Sequence, residues 1–180
     1  MRRSSVVSLL TGVVLALAGS AFGADPPASE APAPLMVKST FLITGLHCPP
    51  CTATVEQSLM SVKGVKSVKV DWATKNAKVE FDERQVPAQQ IASRIGSTSH
   101  MMGGTLKYGG WLALKVPDVA AEGNADKAKA ALAKVKGVST VSVYPQQKSV
   151  GVSFTAQGSV TSAQLVEALK SAGLEATVFP

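Results

Sequence analysis

Apolar positions along this chain follow two rhythms. Val55, Leu59 and Val62 stand three and four apart, the spacing of one helix face, and predict a helix over 52–62. Gly64 supplies a stop for it. Residues 65–72 and 77–81 alternate apolar and polar side chains, as half-buried strands do, with a turn over 71–76 between them. Residues 38–44 also read as a strand, and Pro87 opens a second helix. Residues 105–108 are the expected closing strand.

The same order is then written again. Val62-Lys63-Gly64-Val65 recurs as Val135-Lys136-Gly137-Val138, an offset of 73. At that offset Phe41, Ile43, Val55 and Leu59 face Leu114, Val116, Ala128 and Leu132. Val68, Val70, Val79 and Phe81 face Val141, Val143, Val152 and Phe154. After one extra residue, Ile91 and Ile95 meet Leu165 and Leu169. The second copy is expected as strands and helices over 111–116, 125–135, 138–144, 149–155, 162–171 and 175–179. The fold class is therefore α+β: two tandem ferredoxin-like βαββαβ domains, each an antiparallel sheet with two helices on one face. The first covers 37–109 and the second 110–180.

The residues before them follow neither rhythm. Arg2 and Arg3 precede a nearly continuous apolar run from Val6 to Ala18, short of the roughly 20 residues that span a bilayer. Ala21-Phe22-Gly23 places small residues before a cleavage point, so 1–23 is expected to be a secretory signal peptide. An uncleaved anchor is the alternative. Residues 24–36 are rich in Pro and Ala and read as a semi-stiff linker. The expected location is periplasmic or secreted, with no stable membrane insertion after cleavage.

Composition narrows the functional classes. Apolar residues make up 46% of the chain, enough for a packed core, while aromatics are only 5%. The formal charge is +6, of which Arg2 and Arg3 carry two, and the lysines are spread out. That is a solvated surface, not a nucleic-acid patch, although it suits an acidic protein partner. No nucleophilic triad, phosphate loop or paired-carboxylate site is present, so no enzyme is expected.

The chemistry concentrates at Gly45-Leu46-His47-Cys48-Pro49-Pro50-Cys51. Two cysteines three positions apart, and no others, point to one site and not to a disulfide scaffold. They straddle the entry to the first helix, whose N-terminal dipole favours the thiolate that binds metal. Thiolates select soft ions, and two alone suit Cu(I) or Hg(II) better than Zn(II), which takes four ligands. In the second copy Ala121 and Asn124 stand opposite Cys48 and Cys51.

Residues 39–102 resemble the heavy-metal-associated domain family, which includes copper chaperones and the periplasmic mercury-binding protein. The resemblance rests on the Gly45–Cys51 segment, Val55-Glu56, Leu59, Val62-Lys63-Gly64-Val65 and Lys78-Val79-Glu80-Phe81-Asp82. Leu46 stands where the family usually has Met. The second copy matches only as a degenerate, thiol-free relative. The resemblance implies the βαββαβ fold and a two-thiolate site that passes its ion to a partner. The expected function is thus an exported soft-metal carrier or detoxification module. It would be monomeric, would hold Cu(I) first and Hg(II) or Zn(II) as alternatives, and would serve a metal-transporting membrane protein or another acceptor.

The family's loop after the second helix approaches the metal. His100 lies there and is expected as a third ligand or as a group supporting the ligands. Met101 or Met102 can lend a thioether, or else fill gaps in the core. His47 is expected to be exposed and to tune the thiols. Two other classes compete. Cys-Pro-Pro-Cys at a helix start also suits a thiol–disulfide oxidoreductase, and a thiol-free second copy suits a purely structural role.

Overall fold

A computed structural model describes residues 33–180, which form one compact unit. The expected signal peptide and most of the linker lie outside the described residues. The strands are β1 (Met36–Thr44), β2 (Val65–Asp71), β3 (Asn76–Asp82), β4 (Gly109–Lys115), β5 (Val138–Tyr144), β6 (Ser149–Phe154) and β7 (Thr177–Val178). The helices are α1 (Cys51–Met60), α2 (Ala88–Ser97), α3 (Asn124–Ala133) and α4 (Ser162–Ser171). The class is α+β with an open antiparallel sheet, as expected.

Elements recur at the offset read from the pattern. α1 and α3, β2 and β5, and the starts of β3 and β6 each lie 73 residues apart. The details repeat too. A bulge between Val65 and Ser67 has its counterpart between Val138 and Thr140, and Lys75 and Lys148 both take positive φ at the hairpin turns. One pattern of side chains meets the same backbone demands twice.

Where the sheet is joined, the outcome differs from expectation. Residues 105–108 form no strand, and the boundary expected at 109/110 falls at the start of β4. The strand order is β2-β3-β1-β4-β6-β5, with β7 also on β4. One edge of β4 takes β1, with Phe41 opposite Leu112 and Thr44 opposite Gly109. Past that overlap β7 takes the same edge, with Leu114 opposite Val178. The opposite edge pairs with β6, from Leu112–Val152 to Lys115–Ser149. β4 thus closes the first set of strands and opens the second.

The inward positions of these strands meet the helices in one continuous core. Phe41, Phe81, Ile91 and Ile95 are fully buried in the first half, and Leu114, Leu132, Leu165 and Leu169 in the second. Phe41 and Phe81 meet at 6.3 Å between ring centroids in a tilted pair, a favourable aromatic geometry. Two buried polar side chains tie the halves together. Gln89, on α2, donates to the carbonyls of Thr155 and Gln157, both at 2.9 Å, and accepts from the Val160 N–H at 3.0 Å. Glu83 accepts from Ser162 at the start of α4.

The linker ends earlier than expected, since Met36 already belongs to β1. The Leu35 N–H donates to Asp82 Oδ1 at 2.9 Å, Leu35 O accepts from Glu83 N at 2.9 Å, and the Arg84 guanidinium donates to Ala33 O.

Candidate metal centre

The site sits where β1 gives way to α1. The chain leaves the strand at Gly45, which has φ 78° and lies so close to Lys107 that an added Cβ would fall 2.3 Å from its carbonyl oxygen. Any other residue would push these two loops apart. Leu46 then turns inward and is buried, anchoring the loop from beneath. His47 turns outward and is exposed. The turn is closed by Cys51 N donating to Cys48 O at 3.0 Å and Thr52 N donating to Pro49 O at 3.1 Å.

Cys51 is the first residue of α1 and is fully buried, while Cys48 is half-buried on the loop. Pro50 caps the helix without a side-chain hydrogen bond, and the first turn carries no acidic residue. The positive end of the helix dipole is therefore left to act on the sulfurs, which favours thiolates once they are free. Here the two sulfurs are joined as a disulfide. An external reductant supplying two electrons, with two protons, would convert that bond to the dithiol, and a soft ion held there would displace the protons.

His100 is buried, and both of its ring nitrogens are engaged. Nδ1 accepts from the Met102 N–H at 3.1 Å, which leaves Nε2 to donate to Gly45 O at 3.0 Å. In this arrangement the ring carries no free lone pair for a metal. It joins the loop after α2 to the first residue of the cysteine loop. Tyr108 stacks on the His100 ring, 4.6 Å between centroids, and His47 packs at 5.7 Å. The Tyr108 hydroxyl is buried without a hydrogen-bond partner among the described residues. Burial pushes its pKa up, and the nearby Met101 backbone opposes this without completing a hydrogen bond.

Met101 and Met102 do not fill the core. They are 59% and 61% exposed. Asp118 and Glu122 are exposed, and Asp118 meets Asn124 only through its backbone carbonyl. Trp72 lies in the β2–β3 turn with the Lys75 ammonium 5.7 Å from its ring. Among the described residues, no three His, Cys, Asp or Glu side chains are grouped to hold an ion. Tyr108 and the Gly45 carbonyl were not singled out from the sequence. Tyr108 read as a strand residue, and its aromatic ring beside a loop histidine was the available signal.

The family model for the heavy-metal-associated domain matches residues 40–100, the span from the middle of β1 to His100. The copper chaperone CopZ of Enterococcus hirae is 34% identical over 64 residues, covering 36% of this chain and 93% of that protein. The chain belongs to the heavy-metal-associated domain family. The mercuric transport protein periplasmic component of an Alcaligenes species is 28% identical over 61 residues, covering 34% of this chain and 67% of the relative. The copper-transporting ATPase HMA5 of Oryza sativa subsp. japonica is 26% identical over 142 residues, 77% of this chain. The chain spans only 14% of that ATPase's length. The heavy-metal-associated match ends before β4, so its strongest part is the half that carries the cysteines.

Proposed function

We propose that this chain is an exported carrier of a soft metal ion, which holds one Cu(I) between Cys48 and Cys51 and passes it to a metal-transporting membrane protein. The observation that carries this reading is the placement of the cysteine pair. One sulfur sits on an exposed-side loop and the other on the first residue of an acid-free helix N-terminus, in a domain of the same family as a copper chaperone. Two thiolates offer Cu(I) its preferred low coordination number. The loop faces outward at His47, Pro49 and Pro50, all exposed, so a partner's own ligands can reach the ion and exchange it stepwise. Export follows from the residues before the linker, and cleavage after Gly23 is its specific form.

Hg(II) is the second reading, supported by the mercuric transport relative and by the same linear preference of a dithiolate. Zn(II) fits less well, because the two-ligand set leaves it short of four. A thiol–disulfide exchange role is the rival from another class, and the Cys48–Cys51 disulfide is what keeps it in view. We read the second half as a repeat that lost its thiols and now serves to complete the sheet, since β4 supplies the strand beside β1.

The test is competitive Cu(I) titration of the reduced protein beside a Cys48→Ser/Cys51→Ser variant, with Hg(II) and Zn(II) in parallel. One tightly bound Cu(I) that disappears in the variant supports the carrier. Equal binding by both proteins sinks it, and insulin reduction by the wild type would then favour the redox role. The N-terminal mass of the exported protein tests cleavage after Gly23.

A further inference from the structure

The loop between α2 and β4 is built differently from its counterpart. It runs over residues 98–108, whereas the loop between α4 and β7 covers only 172–176. The extension occurs in the half that carries the cysteines, and it contains Met101, Met102 and the pair Gly103-Gly104. Both methionines are more than half exposed. A thioether is an apolar group that ordinarily fills core gaps, so two in succession on the surface are unexplained by packing.

Their position is fixed by His100. Its Nδ1 holds the Met102 N–H, its Nε2 holds the Gly45 carbonyl, and its ring packs 5.7 Å from that of His47. The methionine loop is thereby tied to the cysteine loop at the point where His47 turns outward. His47 is exposed and makes no side-chain hydrogen bond among those of the described residues, so its ring nitrogens are open to a ligand. Gly103 and Gly104 have nothing within 4 Å of where a Cβ would stand, which leaves the tip of the loop room to fold over an ion.

We propose that Met101, Met102 and His47 form a second site for a soft monovalent cation, Cu(I) or Ag(I), that works without the thiolates. Thioethers and a neutral imidazole are soft, uncharged donors. They require neither a reduced cysteine nor deprotonation of a thiol. The site therefore accepts its ion while Cys48 and Cys51 are joined as the disulfide. Once an external dithiol has reduced the disulfide, being itself oxidised to a disulfide, the two neighbouring thiols give up their protons, bind the same ion more tightly and draw it inward. The site stands whether or not the cysteine pair is the carrier site of the proposed function, although the handover depends on that reading.

The experiment uses the disulfide-intact protein, Ag(I) as the probe and methionine methyl NMR as the readout. Met36 and Met60 are internal controls: 41% and 49% exposed, they stand at the ends of β1 and α1 remote from the cysteine loop. The expected result is saturation near one equivalent, with the Met101 and Met102 methyls and the His47 ring shifting and the control methyls unmoved. Met101→Leu/Met102→Leu keeps the apolar bulk and removes both sulfurs. It should weaken Ag(I) binding at least ten-fold while leaving the amide spectrum and the Cu(I) affinity of the reduced protein unchanged. Zn(II) should shift none of these signals. The proposal is overturned if the disulfide-intact protein shows no methyl shifts, if all four methyls shift alike, or if the double variant binds Ag(I) as the wild type does.

Discussion

Glu83 holds the first residue of α4 through two hydrogen bonds, accepting from the Ser162 N–H at 2.5 Å and from its hydroxyl at 2.8 Å. The carboxylate follows β3 in the first half, and the helix it caps belongs to the second. Thr161 and Gln164 complete a capping box at the same helix start, so Glu83 satisfies a donor that the box leaves over. Glu83→Ala strands a buried N–H and hydroxyl and should destabilise the protein by about 2–4 kcal/mol. Denaturant unfolding measures this. Glu83→Gln, which keeps one acceptor, should lose less. Equal losses would mean that the one acceptor Gln retains contributes nothing and that the charge and the paired bonds carry the whole effect.

Gln89 makes the parallel prediction for α2. Its amide serves three backbone groups from inside the core, and Gly158 lies so close that an added Cβ would fall 2.4 Å from Gln89 Oε1. Gln89→Ala should cost about 3–5 kcal/mol, because several buried polar groups lose their partner at once. Gly158→Ala should displace the same amide. If the two act through one contact, the double variant will be less destabilised than the sum of the singles.

His100→Phe retains a ring for Tyr108 to stack on but loses the bonds to Gly45 and Met102. Groups that orient a metal loop without ligating typically matter by about 10- to 100-fold in affinity. Cu(I) titration of the reduced variant should show that loss with the stoichiometry unchanged. An unaltered affinity would separate the His100 link from metal binding altogether.

Asp82 predicts a pH response at the start of β1. Hydrogen bonds from the Gln85 side chain, and from the Leu35 and Arg84 N–H groups, hold its carboxyl below the ordinary aspartate value of about 3.9, against the opposing effect of burial. A lowered folded pKa gives stability that is present above the unfolded value and lost as pH falls through the folded one. Melting temperature should therefore decline below about pH 4. The Leu35 amide resonance should move over the same range. Asp82→Asn should show a shallower decline, and an unchanged slope would assign the acid response elsewhere.

Tyr108→Phe should be neutral or stabilising, by up to about 1 kcal/mol, because it deletes a buried hydroxyl that has no partner. A clear loss of stability in urea unfolding would reveal a bond that the hydroxyl makes in solution.

Much of this was legible in the sequence. The 73-residue offset anticipated α1 and α3, and β2 and β5, because each rests on local alternation and on glycine at Gly64 and Gly137; the paired bulges were found only in the structure. Cys48 and Cys51 were legible from type and spacing. The joining of the sheet was not. Alternation at Leu112 and Leu114 reveals which face is buried but not which strands lie on either edge, since edge partners bond through the backbone. The pattern therefore allowed a separate closing strand at 105–108, where Gly103-Gly104 and Lys107 in fact form an exposed loop. Glu83 and Gln89 were equally silent, for a polar residue becomes a core residue only when a distant segment brings donors to it. His100 was found by its place in the loop, but its commitment to two backbone groups depends on a tautomer and an approach that no spacing encodes.

The double use of β4 has a consequence for how the folded protein meets other chains. Two separate sheets of this kind would present four open borders to neighbouring chains, and each border is a template for aggregation. Among the described residues, sharing one strand leaves β2 and β5 at the two ends of the strand order, with the two-residue β7 added on β4 past β1. Both margins are bulged near their starts, and β2 carries Lys66 and Lys69, features that discourage a second chain from adding on. A protein that presents its cysteine loop at the surface thus keeps most of its own sheet border closed to neighbouring chains.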